Sequence, residues 1–76
     1  MRVIVLEDAL NTQPFIPFDI EVDGKTIHVG HPEQVLLNRS KTTAVVVPDE
    51  HIHIIDVGHI SSLTLRRRNG SRRKAA

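Results

Sequence analysis

Five histidines are the side chains of this sequence best suited to chemistry, and two of them, His51 and His53, alternate along one stretch. On a β-strand these two imidazoles would lie on one face about 7 Å apart at the backbone, near enough to share a zinc ion. His28, Asp56 or Glu50 would complete the ligand shell. The alternative is a plain polar row on the outer face of a sheet, which we favour because no third ligand is close in sequence. No cofactor is predicted, and metal binding at His51 and His53 is the lesser hypothesis.

A catalytic constellation is less well supported. Asp56, His59 and Ser61 are an acid, a base and a nucleophile close together in sequence, but such proximity is common by chance. A small β domain also has little room for a pocket that excludes water. The chain contains no GxxxxGK[ST], GxGxxG or HExxH motif. We therefore predict that the protein is not an enzyme.

Charge is unevenly distributed along the chain. Up to Leu65 there are four Lys/Arg against nine Asp/Glu, a balance of −5, whereas the last eleven residues carry six positive charges and no negative charge. These cations could neutralise about six phosphates without reading sequence, or could instead lie over the acidic body. With only two aromatic residues, a platform for stacking bases is not expected. The candidate nucleic-acid-binding cations are Arg66, Arg67, Arg68, Arg72, Arg73 and Lys74.

The length of 76 residues and the absence of cysteine bound the stability of the domain. A core this small buries only about 60% of the surface of the unfolded chain, and no disulfide adds to it. We therefore predict a homo-oligomer, with a dimer favoured, formed along apolar edges such as Ile60, Leu63 and Leu65. No apolar run approaches the roughly 20 residues that span a bilayer, and acids interrupt the N-terminal apolar stretch. A cytoplasmic protein without membrane contact is expected.

The first local element predicted is a short helix over residues 3 to 12. Leu6, Ala9 and Leu10 fall at the i, i+3, i+4 spacing of one helical face, although the first residues also resemble a strand. Pro14 and Pro17 push the residue before each of them out of the helical region. Residues 13 to 17 are therefore predicted to be extended.

A β-hairpin over residues 18 to 30 is the firmest local prediction. Apolar and polar residues alternate on both sides of an Asp-Gly pair, which favours a two-residue type I′ turn at Asp23 and Gly24. That turn places Ile20 opposite Ile27 on an apolar face. It also pairs Phe18 with Val29 on the apolar face. On the polar face it pairs Asp19 with His28 and Glu21 with Thr26.

Four more strands are predicted, at residues 35–38, 43–47, 51–56 and 60–65. In the third of these, Ile52 and Ile54 are expected to point inward, and His51 and His53 outward. Residues 57–59 form a tight connection. Six short strands after one helix predict a mainly β fold, in which a strongly bent antiparallel sheet closes into a small SH3-like or Sm-like barrel over residues 1–65. Residues 66–76 have the composition of a flexible, disordered basic tail.

Residues 14–33, PFIPFDIEVDGKTIHVGHPE, together with HIIDVGHISSL near the end, resemble a family of short bacterial proteins. Those proteins share a helix, a PFxPF segment, a strand, an Asp-Gly turn, a second strand and an HPE segment. The likeness covers nearly all of residues 5–65. The family has no assigned activity, so the resemblance informs the fold more than the function.

A second similarity is to Sm-like proteins of the Hfq type, which also run from a helix into five bent strands. HIIDVGHISSLTL is similar to the closing part of that fold, where a histidine precedes an isoleucine at the subunit interface and RNA site. The resemblance implies such a role for His59, which precedes Ile60. Gly58 stands where Hfq has a lysine, and the span after the Asp-Gly turn is several residues longer than in that fold.

Together these patterns favour a non-catalytic interaction module that self-associates or binds a protein partner. The alternative is an RNA- or DNA-associated regulator of the Sm-like type with an electrostatic tail. A histidine-based metal-binding protein is the third hypothesis.

Overall fold

The computed structural model describes residues 1–66, and its first element is helix α1 (Val3–Asn11). The predicted helix is thus confirmed to within one residue. Leu6 and Ala9 are its buried residues, as their spacing on one helical face predicts. Thr12 ends the helix in an extended conformation, and the chain stays non-helical up to β1, as the two prolines require.

Sheet 1 consists of strands β1 (Phe18–Val22), β2 (Lys25–Val29) and β6 (Ile60–Leu65), in the order β2-β1-β6. The antiparallel register of the β1–β2 hairpin contains all four of the predicted pairs, and Val22 pairs with Lys25 next to the turn. Asp23 and Gly24 have φ angles of 49° and 77°, the left-handed conformations that a type I′ turn requires. The hairpin prediction is confirmed.

Sheet 2 consists of strands β3 (Val35–Leu37), β4 (Thr43–Val46) and β5 (His53–Asp56), in the order β3-β4-β5. All its pairs are antiparallel. Each strand is shorter than its predicted segment, and the largest difference is at β5, which begins two residues later than expected. The predicted strand at residues 60–65 matches β6 in full.

The predicted closed barrel is not formed within residues 1–66, where the strands divide into two separate three-stranded sheets. Short 3-10 turns, Pro32–Gln34 and Val57–His59, occupy the corners between β2 and β3 and between β5 and β6. At the first corner the Gln34 side-chain oxygen accepts hydrogen bonds from the backbone N–H groups of Gly30 and His31. The two 3-10 turns interrupt the strands at the corners, so no strand in the described part of the chain continues from one sheet into the other.

The side-chain orientation predicted for β5 is wrong. Ile52 and Ile54 are 67% and 72% exposed, whereas His53 and Ile55 are half-buried. The alternation of His and Ile fits either orientation, and a one-residue change of parity moves every side chain to the opposite face. The orientation is decided by the pairing with β4, which sets Ile54 opposite the outward Val45.

One apolar core is formed by side chains from helix α1 and from both sheets. All its buried members are apolar, and within residues 1–66 no polar or charged residue is buried. In that same part of the chain, no helix combines the length and the hydrophobicity that a membrane span requires. The predicted flexible tail falls almost wholly on residues 67–76, outside the described part. The buried residues are Leu6, Ala9, Phe18, Ile20, Val22, Ile27, Val29, Val35, Ala44, Val46, Val57 and Ile60.

Candidate functional site

The two histidines predicted as metal ligands have different surroundings. The backbone N–H of His51 donates to the Asp49 carboxylate at 2.7 Å, and its ring Nδ1 lies 3.0 Å from the same oxygen. This contact lowers the pKa of Asp49. His53 is half-buried at the start of β5, opposite Val46. Within residues 1–66, no three His, Asp or Glu side chains gather closely enough to hold a metal ion.

Three histidines from separate elements line one polar groove of about 480 Å³. His28 from β2, His31 before the first 3-10 turn and His53 from β5 all line it, with Asp49 and the apolar Ile27. The sequence predicts His28 as a residue that would complete a ligand shell with His51 and His53. It does not indicate His31, because no spacing in the sequence signals its proximity to the other two histidines of the groove. Side chains along the groove can hydrogen-bond to a polar group of a ligand, but the ring of His28 already contacts a carboxylate.

That carboxylate belongs to Asp19, on the outer face of sheet 1. Its oxygens lie 2.5 Å from His28 Nδ1 and 3.2 Å from Arg66 Nε. Partial burial raises the pKa of Asp19, but the hydrogen bonds and positive charges of His28 and Arg66 outweigh that effect, so the net pKa is below 3.8. The cross-strand pair of Asp19 and His28 is the predicted one.

His59, the residue carried over from the Sm-like resemblance, lies in the second 3-10 turn. Its Nδ1 is 3.7 Å from the Asp23 carboxylate, across the end of sheet 1. A carboxylate at this distance opposes the approach of a phosphate. The side chain of Asp56 instead accepts a hydrogen bond from the backbone N–H of Gly58 at 2.8 Å. Asp56, His59 and Ser61 are therefore not arranged as one unit of acid, base and nucleophile, because His59 pairs with Asp23.

Arg66 is the one tail cation within the described residues. Its backbone N–H donates to the Pro17 carbonyl at 2.7 Å, which continues the pairing of β6 with β1. Its guanidinium contacts Asp19, so its charge is partly neutralised by the acidic body. The nucleic-acid hypothesis stays a prediction. Outside the described residues lie Arg67, Arg68, Arg72, Arg73 and Lys74.

An apolar row crosses the outer face of sheet 2. Leu36, Val45 and Ile54 lie opposite one another in register across β3, β4 and β5. Leu36 and Ile54 are 66% and 72% exposed, and Ile52, just before β5, is also largely exposed. We call Leu36, Val45, Ile52 and Ile54 the apolar face. All four of its side chains are uncharged aliphatic groups.

Sequence reasoning missed the apolar face, although a signal for it exists. The chain reads Val-Leu-Leu in β3 and Thr-Ala-Val-Val in β4, so apolar residues occupy both parities of these strands. Strands with near-continuous apolar runs are typical of sheets covered on both sides. Ala44 and Val46 are fully buried in the core, which leaves Val45 on the opposite face.

A smaller apolar groove of about 260 Å³ lies between α1 and β6, lined by Val5 and Ala9 of the helix and by Leu63 and Leu65 of the strand. Leu65 is 51% exposed. Ile60, predicted to contribute to an apolar edge, is instead 3% exposed and belongs to the core, because it pairs with Val22 beyond a shift of register in β6.

Comparisons of the chain with protein-family models, with curated proteins and with solved structures found no match. The candidate site therefore rests on the geometry of the chain itself.

Proposed function

We propose that this protein is a non-catalytic protein-interaction module whose binding surface is the apolar face of sheet 2. The observation that carries the proposal is the row of Leu36, Val45 and Ile54, which is apolar across three strands: Leu36 and Ile54 at its two edges are largely open to water, and Val45 between them is half-buried. Single exposed apolar side chains are ordinary, but a contiguous group marks an interaction surface.

The energetics of the apolar face support a binding role. Full burial of one leucine or isoleucine side chain contributes about 1.5–3 kcal/mol, and three such side chains here are about two-thirds exposed. The core does not use this free energy, because these residues point away from it. A partner that covers the face gains most of it.

The test uses the absence of cysteine from the chain. Ile54→Cys places a unique thiol on the apolar face, and the control Ser62→Cys places one on the exposed outer face of sheet 1. Both variants are treated with a bulky maleimide in the cells that make the protein and again after denaturation. If the apolar face is covered in the cell, the thiol of the Ile54→Cys variant is alkylated at least tenfold more slowly in cells than the control thiol.

Equal alkylation of the two thiols in cells would contradict the proposal. Denatured samples must label equally, which shows that the difference comes from the folded protein. Leu36→Cys, at the opposite edge of the same row, should behave as Ile54→Cys does if the whole row is covered. The readout does not depend on the identity of the partner.

A further inference from the structure

We infer that the partner that covers the apolar face is a second copy of this chain, which presents its own apolar face across a twofold axis. This inference rests on the proposed function and names the occupant of the same surface. Twofold interfaces are isologous, so a surface can take part only if it is complementary to itself. An uncharged apolar row meets that requirement.

The placement of charge favours such self-pairing. Asp56 pairs with Thr43 at one end of sheet 2, beyond the row of Leu36, Val45 and Ile54. If the strands of the two copies run in opposite directions, the two Asp56 carboxylates lie at opposite ends of the interface and do not repel one another. The centre of the contact is then apolar on both sides.

The complementary surface must be flat, apolar and free of charge over three strands. Within residues 1–66, the outer face of sheet 1 does not qualify, because Asp19, Glu21 and His28 lie on it. The groove between α1 and β6 is narrower and includes Asp8. Among these three surfaces of residues 1–66, the one that matches the apolar face is therefore the apolar face itself, and two sheets packed in this way form a sandwich.

The dimensions of sheet 2 limit the strength of the contact. Three strands spaced by about 4.8 Å and about four residues rising about 3.3 Å each give a flat footprint on the order of 200 Å² per copy. Stable interfaces bury roughly 800 Å² per partner. A contact limited to this footprint falls well below that area, so the dimer is expected to be weak and to exchange with the monomer instead of being permanent.

The experiment is light scattering on the full chain over a concentration range from about 5 μM to 1 mM. The weight-average mass should rise from the monomer value of 8.5 kDa towards twice that value. Ile54→Lys should raise the dissociation constant at least tenfold, because a lysine ammonium would have to be buried in the contact. Ser62→Lys, an equal charge on the outer face of sheet 1, should associate like the native chain.

Each result has a stated meaning. Ile54 is largely exposed, so Ile54→Lys should keep the native circular dichroism spectrum, and Leu36→Lys provides a second variant of the same row. A native chain that stays monomeric to 1 mM would overturn the second-copy inference. If the thiol of the Ile54→Cys variant is nevertheless protected in cells, another protein covers the face and the proposed function stands. Association that both lysine variants leave unchanged would place the contact elsewhere and also overturn the inference.

Discussion

The outer faces of the two sheets differ in chemistry although the sheets are equal in strand number. In strand β1 of sheet 1, the polar Asp19 and Glu21 alternate strictly with buried apolar residues, and they hydrogen-bond across the strands to His28 and Thr26 of β2. In β3 of sheet 2 and in most of β4, apolar residues occupy both faces, and Leu36 and Ile54 are exposed on either side of the apolar Val45. The outer face of sheet 1 is thus polar, whereas that of sheet 2 is apolar, a pattern typical of sheets covered on both sides.

The two sheets also close their hairpins by different means. In sheet 1 the turn between β1 and β2 relies on backbone conformation, with Gly24 at a φ of 77°. In sheet 2 the loop between β3 and β4 also contains a left-handed residue, Lys41 at a φ of 60°, but it relies in addition on a side chain. The Asn38 carboxamide oxygen accepts hydrogen bonds from the backbone N–H groups of Thr42 and Thr43 at 2.8 and 2.9 Å. One hairpin is thus specified by a dipeptide and the other by a side-chain cap.

The largest expected effect is the loss of folding that a new carboxylate causes on the inner face of sheet 1 but not on the outer face of sheet 2. Ile20 is fully buried between Ile27 and Leu63, so Ile20→Asp places an unpaired carboxylate in the core at a cost of several kcal/mol. For a domain whose total stability is about 5 kcal/mol, this abolishes folding. Ile54→Asp makes the same chemical change on a side chain that is 72% exposed, and it should leave the dilute monomer folded.

Circular dichroism with urea unfolding at low micromolar concentration measures both variants. A folded Ile20→Asp protein would contradict the assignment of Ile20 to the core. An unfolded Ile54→Asp protein would mean that the sheet 2 outer face is part of the fold of a single copy. The comparison of the two sheets would then fail.

An intermediate effect is expected from the side-chain cap of sheet 2. Asn38→Ala removes both hydrogen bonds to the loop backbone and should lower the free energy of unfolding by about 1 kcal/mol, because the groups involved are exposed to water. The matched control is Asn11→Ala, at the exposed last residue of α1, which should change the stability by less than about 0.5 kcal/mol. Urea midpoints of the two variants provide the test, and equal midpoints would refute the capping role of Asn38.

The smallest effect concerns the polar network of sheet 1 and depends on pH. The folded pKa of Asp19 lies below 3.8, so the native state binds this proton less readily than the unfolded chain does. The contribution of Asp19 is therefore fully present above about pH 4 and is lost as the pH falls through the lowered folded pKa. Asp19→Asn should cost at most about 1 kcal/mol at pH 7 and less at pH 2.

Urea unfolding of the native chain and of Asp19→Asn at pH 7 and pH 2 measures this difference. Glu21→Gln, which removes an equal charge from the same face of β1, is the control. A loss of stability in Asp19→Asn that is equal at both values would show that His28 and Arg66 do not act through the charge of Asp19.

The sheet 1 hairpin and the helix were predictable because their signals are local. An Asp-Gly pair between alternating residues specifies both the turn and the register, and the spacing of Leu6 and Ala9 specifies the buried side of α1. The orientation of β5 was not predictable, because residues 51–55 alternate histidine with isoleucine and then continue apolar. Either orientation of the side chains is compatible with such a pattern, and only the pairing with a neighbouring strand decides between the two.

What the sequence by itself determined is the mainly β class, the hairpin register of sheet 1 and the distribution of charge, since each depends on residues adjacent in the chain or on simple composition. Only the tertiary structure decided that the strands form two sheets, that Ile54 faces outward, and that Leu36, Val45 and Ile54 form one row. These residues are nine apart at each step, and no local rule relates them. Their contact is created by strand pairing, whose free energy depends on the whole core.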